Sequence, residues 1–223
     1  KISSFSPSNA KNIDSLLKAH EATLASTPNL VLDLRDNGGG SDFTYMPLLP
    51  YLYTHPVKGI GVDVLATQSN IAGWKMLLDD NEIPEQNKKS IAGIIANMEQ
   101  HKGQLVSIVP DYIDSSYKPL AYPKKVVVLI NRGCASTTEQ FLLYARQSSK
   151  VVLVGEPTQG TLDYSNKREA PLSCMPYVLH YATTRSRRLD VGEGIDNIGI
   201  QPSILLPKNK NWIEEARKIA EAN

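Results

Sequence analysis

Three short apolar runs set the rhythm of this chain: Leu30–Leu34, Val126–Ile130 and Val151–Val154. Each has strand length and carries no polar alternation, as in strands of a parallel sheet covered on both faces. Between the last two runs, Phe141, Leu142 and Ala145 fall at helical spacing, predicting a helix over 137–147. Strand, helix, strand in that order implies a right-handed crossover and an α/β core. Upstream, Ile13, Leu16, Leu17 and Leu24 predict an amphipathic helix over 8–26, stopped by Pro28, and Lys1–Phe5 reads as a strand. Residues 56–122 interrupt the pattern with two predicted helices, 69–80 around Trp74 and another marked by Ile91, Ile94, Ile95 and Met98. This stretch reads as a helical insertion in a single domain spanning 1–223, filling out the fold or forming a lid. Short strands are expected across 170–206, clearest at Tyr177–Thr183 and Ile204–Leu206. Trp212, Ile213, Ala216 and Ile219 then predict a closing helix.

Composition narrows the function classes. Among 223 residues, 24 Lys and Arg balance 23 Asp and Glu, for a net charge of +1. Such a balance offers no broad field to attract nucleic acid or an anionic membrane. The cluster Arg185, Arg187, Arg188 reads as a solvated strand end. Cys134 and Cys174 neither demand nor exclude a disulfide, and two cysteines are too few for a structural zinc site. No apolar run approaches the roughly 18 residues of a bilayer span. The chain opens on Lys1 without methionine, which reads as a processed or truncated piece of a longer protein.

The chemistry concentrates in Asn131–Thr161. Ser136 stands where an apolar strand gives way to a helix, beside Gly133 and Ala135, and amides at a helix start can stabilise an oxyanion. Ser136 and Glu139 also have capping-box spacing, so a plain helix N-cap accounts for the same residues. The G-x-S-x-G nucleophile elbow is absent. After the next strand, Gly155–Gly160 forms a glycine turn that brings Thr161 to a second position, and a threonine cannot serve as a base near neutral pH.

The runs Asp33–Gly40 (DLRDNGGG), Gly133–Glu139 (GCASTTE) and Val154–Gly160 (VGEPTQG) resemble the C-terminal processing (tail-specific) proteases and the tricorn core peptidases. Asp196–Ile204 (DNIGIQPSI) resembles that family's closing strand entry. The resemblance implies the ClpP/crotonase-like superfold of stacked beta-beta-alpha units, and a serine endopeptidase with Ser136 as nucleophile. It also implies oxyanion amides at Gly39 or Gly40 and at Thr137, a peptide or protein substrate, and no metal or organic cofactor. A periplasmic or secreted location is implied as well. Tail-specific members use a lysine after the G-x-T-x-G turn, and Thr161 occupies that position here. Tricorn-like members instead take a histidine base from upstream of a PDZ domain, with a supporting glutamate that maps onto Glu193. His20, His55, His101 and His180 read as structural or exposed, Lys167 lies six residues beyond the lysine position, and Asp163 reads as bracing the turn or, with Thr161, lining the site. Two other classes fit the fold: a binding homologue that has lost the base, and a crotonase-like acyl-CoA enzyme, whose glycine pattern is missing.

Overall fold

The computed structural model describes residues 1–79 and 85–222. Along the chain, α1 (Ala10–Ala19) and α2 (Glu21–Leu24) precede β1 (Asn29–Asp33), and α3 (Asp42–Tyr45) and α4 (Leu49–Leu52) lead to β2 (Val57–Gly59). Next come β3 (Val62–Leu65), α5 (Gln68–Met76), α6 (Glu85–Gln100), β4 (Leu105–Val109) and β5 (Tyr112–Asp114). β6 (Lys125–Ile130), α7 (Thr137–Ala145) and β7 (Val151–Gly155) form the predicted crossover. β8 (Tyr164–Pro171), β9 (Val178–Ser186), β10 (Ile204–Leu205) and α8 (Trp212–Glu221) complete the chain. It divides into two compact units: Lys1–Gly59, Ile113–Leu162 and Ile195 onward in the first, Ile60–Tyr112 and Asp163–Gly194 in the second.

The first unit is built on a parallel sheet in the order β1-β6-β7-β10. Val128 in β6 pairs with Leu32 on one side and Leu153 on the other. β6 has no polar face because both faces are covered. Val126, Val128 and Ile130 pack with Phe5, Phe141 and Leu142, while Val127 and Leu129 pack against Trp212, Ala216 and Ala220 of α8. All five residues from Val126 to Ile130 are fully buried. At roughly 25 cal/mol per Å² of apolar surface removed from water, a strand of this kind anchors the unit. The sheet's carboxyl ends therefore carry loops on a rigid base, where ligands gather in open α/β sheets.

Two expectations for this unit need adjustment. The helix over 8–26 breaks at His20, whose φ of −112° leaves the helical region between α1 and α2. The first residues do not form a strand: Phe5 makes one isolated parallel bridge to Gly40, and the Ile2 N–H donates to the Asp33 carbonyl at 2.9 Å.

In the second unit the antiparallel sheet runs β4-β3-β9-β8. Val64 and Val106 from its inner face join Ile71, Ile95 and Met98 of α5 and α6 in a separate core. The segment expected to be a helical insertion thus holds strands as well as its two helices. The helix expected over 69–80 ends at Met76, and residue 80 lies outside the described residues. β8 and β9 form a long hairpin, with Lys167 opposite Ala182 and Glu169 opposite His180.

Candidate active site

Ser136 follows β6 after a tight turn and forms the N-cap of α7, with φ 54° and ψ −121°. Positive φ is strained for any residue with a Cβ and persists only where surroundings impose it. Two of its own backbone bonds do so: its N–H donates to Glu139 Oε2 at 3.1 Å, and its carbonyl accepts from the Gln140 N–H at 3.0 Å. Ser136 and Glu139 form a capping box, in which the serine side chain faces the Glu139 N–H, and Ser136 is half-buried.

Glu139 binds the turns together. It is fully buried, with no cation as its partner among the described residues. Its Oε1 accepts from the Thr158 hydroxyl at 2.5 Å and the Gly160 N–H at 2.7 Å. Its Oε2 accepts from the Thr161 N–H at 3.0 Å as well as from Ser136. A buried carboxylate holding four donors is satisfied without ion pairing. The capping-box spacing read from the sequence is realised, and Glu139 braces the glycine turn as well. Thr158, also fully buried, accepts the Ile200 N–H at 2.7 Å and so extends the brace to the loop before β10.

The glycine turn after β1 lies directly against Ser136. Gly39 has φ 101°, and a Cβ there would come 2.8 Å from the Ala135 carbonyl oxygen and 3.0 Å from the Thr137 nitrogen. Only glycine permits that approach. Its N–H is already used, donating to Asn37 Oδ1 at 3.0 Å. The Gly39 carbonyl accepts from the Phe5 N–H at 3.0 Å, so the planar trans peptide turns the Gly40 N–H away from Phe5. Among the described residues the N–H groups of Gly40 and Thr137 have no acceptor. The Thr137 amide is one of the orphan donors of a helix start. A hydrogen bond from the Thr137 hydroxyl to the Gly40 carbonyl, 2.9 Å, joins the two residues.

Three residues whose roles composition did not signal complete this region. Asn37, fully buried, accepts the Thr138 hydroxyl at 2.8 Å on the same Oδ1, and its carbonyl accepts the Ala135 N–H at 3.1 Å. Thr138 and Thr158 are likewise fully buried. Asn37 sits within the quoted glycine-rich run, which was the available signal, but its burial was not visible there. Cys134 points away, donating to the Leu34 carbonyl at 3.1 Å, and burial pushes its thiol up to about 11. Neither it nor the exposed Cys174 is in a disulfide.

The rim carries charge. Burial alone would raise the Asp33 carboxyl, but the two-pronged bond from Arg35, 2.8 Å at each oxygen, outweighs it and holds the group below its ordinary value. The hydrogen bond from the Asn131 side chain likewise lowers Asp36.

The remaining sequence candidates are distributed as follows. Thr161 has its N–H on Glu139 and is exposed. His55, in the first unit, has one ring nitrogen 2.9 Å from the Pro56 carbonyl and the other 2.8 Å from the Gln147 carbonyl, so both are engaged in structural contacts. His20 caps α1, and His101, in the second unit, closes α6 onto the Asn97 carbonyl. His180 sits on the hairpin, 3.3 Å from Glu169. Lys167 is exposed on β8. Asp163 is fully buried in the second unit and paired with Arg188 at 3.1 Å. Glu193 follows in the same unit, exposed, its N–H donating to the Arg188 carbonyl at 2.9 Å. Among the described residues no cluster of His, Cys, Asp or Glu could hold a metal ion, and no helix is long and apolar enough to cross a membrane.

Comparison with solved structures finds the same fold in several proteins. Mature CPAF is 19% identical with a TM-score of 0.64, over 99% of this chain and 49% of that one. The photosystem II D1 C-terminal processing protease is 18% identical with a TM-score of 0.53, over 100% of this chain and 46% of that one. A lipoprotein from Streptococcus agalactiae is 15% identical with a TM-score of 0.53, over 99% of this chain and 64% of that one. This chain therefore spans about half the length of the first two. A search of curated proteins found no match. The profile of peptidase family S41 matches residues 1–206, nearly the whole chain, so the chain belongs to peptidase family S41.

Proposed function

We propose that this chain is the catalytic region of a serine endopeptidase, on the ClpP/crotonase-like superfold, with Ser136 as nucleophile. The observation that carries this reading is the strained Ser136 at the start of α7, packed against the glycine turn, with the N–H groups of Gly40 and Thr137 in the two adjoining segments unpaired among the described residues. Ser136 Oγ attacks a peptide carbonyl carbon and its proton passes to a general base. The carbonyl oxygen, now an oxyanion, accepts hydrogen bonds from Gly40 and Thr137. The tetrahedral adduct collapses, the amine leaves with the proton, and water then hydrolyses the acyl-serine. Of the two glycines anticipated for the oxyanion, Gly40 is preferred because the Gly39 N–H is committed to Asn37.

Thr161 supplies no base, so the base comes from a segment upstream of Lys1 in the full-length protein. The assignment of Glu193 as the supporting glutamate, and a periplasmic or secreted location, rest on the resemblance alone. Peptide or protein is the substrate class that family membership supports.

A second reading has one observation in its favour. Thr161, held on Glu139 beside Ser136, brings no titratable side chain, as expected of a peptide- or hydrophobic-ligand-binding homologue that has lost its base. A fluorophosphonate probe on full-length protein separates the two, with Ser136→Ala as control. Labelling of wild type that vanishes in Ser136→Ala is expected. Labelling that persists in Ser136→Ala, or none in wild type under peptide-cleaving conditions, would remove the serine mechanism.

A further inference from the structure

We infer that Asn37 is a positioning residue that sets the width of the oxyanion hole, acting with the buried hydroxyl of Thr138. This rests on the serine reading above and adds a determinant of rate that touches neither substrate nor Ser136. The two proposed donors, Gly40 N–H and Thr137 N–H, belong to segments nearly 100 residues apart in sequence. Their separation is therefore set by whatever joins the glycine turn to the start of α7. Asn37 Oδ1 does this with one atom, accepting the Gly39 N–H at 3.0 Å from its own turn and the Thr138 hydroxyl at 2.8 Å from the helix. Its main-chain carbonyl accepts the Ala135 N–H at 3.1 Å, and its Nδ2 donates to the Ile2 carbonyl at 3.2 Å. Each polar atom of this fully buried side chain is thus bonded, so the amide has one orientation and little freedom to drift.

The geometry explains why the fit is tight. Gly39 approaches Ala135 and Thr137 too closely for any side chain, so the turn meets the start of α7 at short range. The bonds through Asn37 resist outward movement, together with the Thr137 hydroxyl on the Gly40 carbonyl at 2.9 Å. An oxyanion receives two donors near 2.9 Å only when their separation is held, and small misplacements are costly in such sites. A neutral amide also suits the position. An aspartate there would set a full negative charge beside the place where the oxyanion forms and would lose the bond to Ile2.

The test uses full-length protein and Thr138→Val, which keeps the shape of a buried threonine and removes the donor. Fluorophosphonate labelling of Ser136 and kcat on a peptide substrate should each fall about 10- to 100-fold, a fraction of the loss of a whole oxyanion donor. KM should stay within about twofold, because the ground-state carbonyl makes little use of the hole. Thr138→Ser, which restores the hydroxyl, should recover labelling to within about threefold of wild type. Thr138→Val labelled within about twofold of wild type would overturn the role of Asn37 and leave Ser136 as nucleophile. Equal losses in Thr138→Val and Thr138→Ser would overturn it too, by pointing to packing instead of the hydrogen bond. Wild-type protein that never labels overturns the serine reading and this inference together, and that outcome is read from wild type alone.

Discussion

Ser136 and Thr161 are held by the same atom and equipped differently. Both backbone N–H groups donate to Glu139 Oε2, at 3.1 and 3.0 Å. On the Ser136 side the backbone is strained and a hydroxyl stands at the start of α7, against the glycine turn. On the Thr161 side the turn is equally well braced, through the Gly160 N–H and Thr158, but ends in an exposed threonine with no proton-accepting side chain. The difference teaches that this scaffold fixes where a residue stands without depending on what that residue is. Its bonds to position 161 are to the main chain, so the side chain there is free to vary while the geometry stays.

The sharpest way to break the comparison is to remove the shared atom. Glu139→Ala strands four donors, two of them buried, and at about 1–3 kcal/mol for each unmade buried bond the chain should lose at least about 2 kcal/mol of stability. Urea unfolding measures this. A loss under about 1 kcal/mol would mean that the two turns hold themselves without the carboxylate.

A milder change converts one side into the other. Thr161→Lys sets an amine on the braced backbone beside Ser136. Fluorophosphonate labelling of the chain should rise about tenfold or more, as general-base assistance returns. Only the neutral amine accepts a proton, so the gain should be absent at low pH and grow as pH rises through the amine's pKa. A pH-independent rate equal to that of Thr161 would show that the main-chain register differs from a dyad's.

The smallest effect isolates the strain itself. Ser136→Gly and Ser136→Ala both remove the hydroxyl, but only glycine accepts φ 54° and ψ −121° without a Cβ penalty. The glycine variant should be the more stable of the two by about 1 kcal/mol, the strain released less the added entropy of the unfolded chain. Thermal unfolding of the pair checks this, and an alanine variant as stable as the glycine would show that the turn relaxes.

Much of this was legible in the sequence, and the rest failed for identifiable reasons. The run Val126–Ile130 announced a doubly covered strand because all five side chains are buried, and Ser136 with Glu139 announced a helix start through local spacing. Asn37 could not be read in the same way. Its decisive partner, Thr138, lies 101 residues away, and no local pattern encodes that contact. Nor could the choice between Gly39 and Gly40 be made before the N–H of Gly39 was seen on Asn37. In the second unit the helices α5 and α6 announced themselves by period, whereas β3, at four residues, is too short for alternation to stand out. The N-terminal residues read as a strand from their apolar-polar run, but a strand needs a partner edge along its length, and here Phe5 makes one isolated bridge and the Ile2 N–H one bond to Asp33.

The two cysteines, set against each other, make this chain convenient to handle chemically. Cys134 lies two residues from Ser136, yet it is buried, and a thiol pushed up to about 11 exposes almost no thiolate to an electrophile at neutral pH. Cys174 is open to solvent between β8 and β9. A maleimide dye or spin label therefore attaches at the hairpin tip and leaves the serine to phosphonates. One molecule can thus carry an optical reporter and a covalent inhibitor at once, with no cysteine removed beforehand.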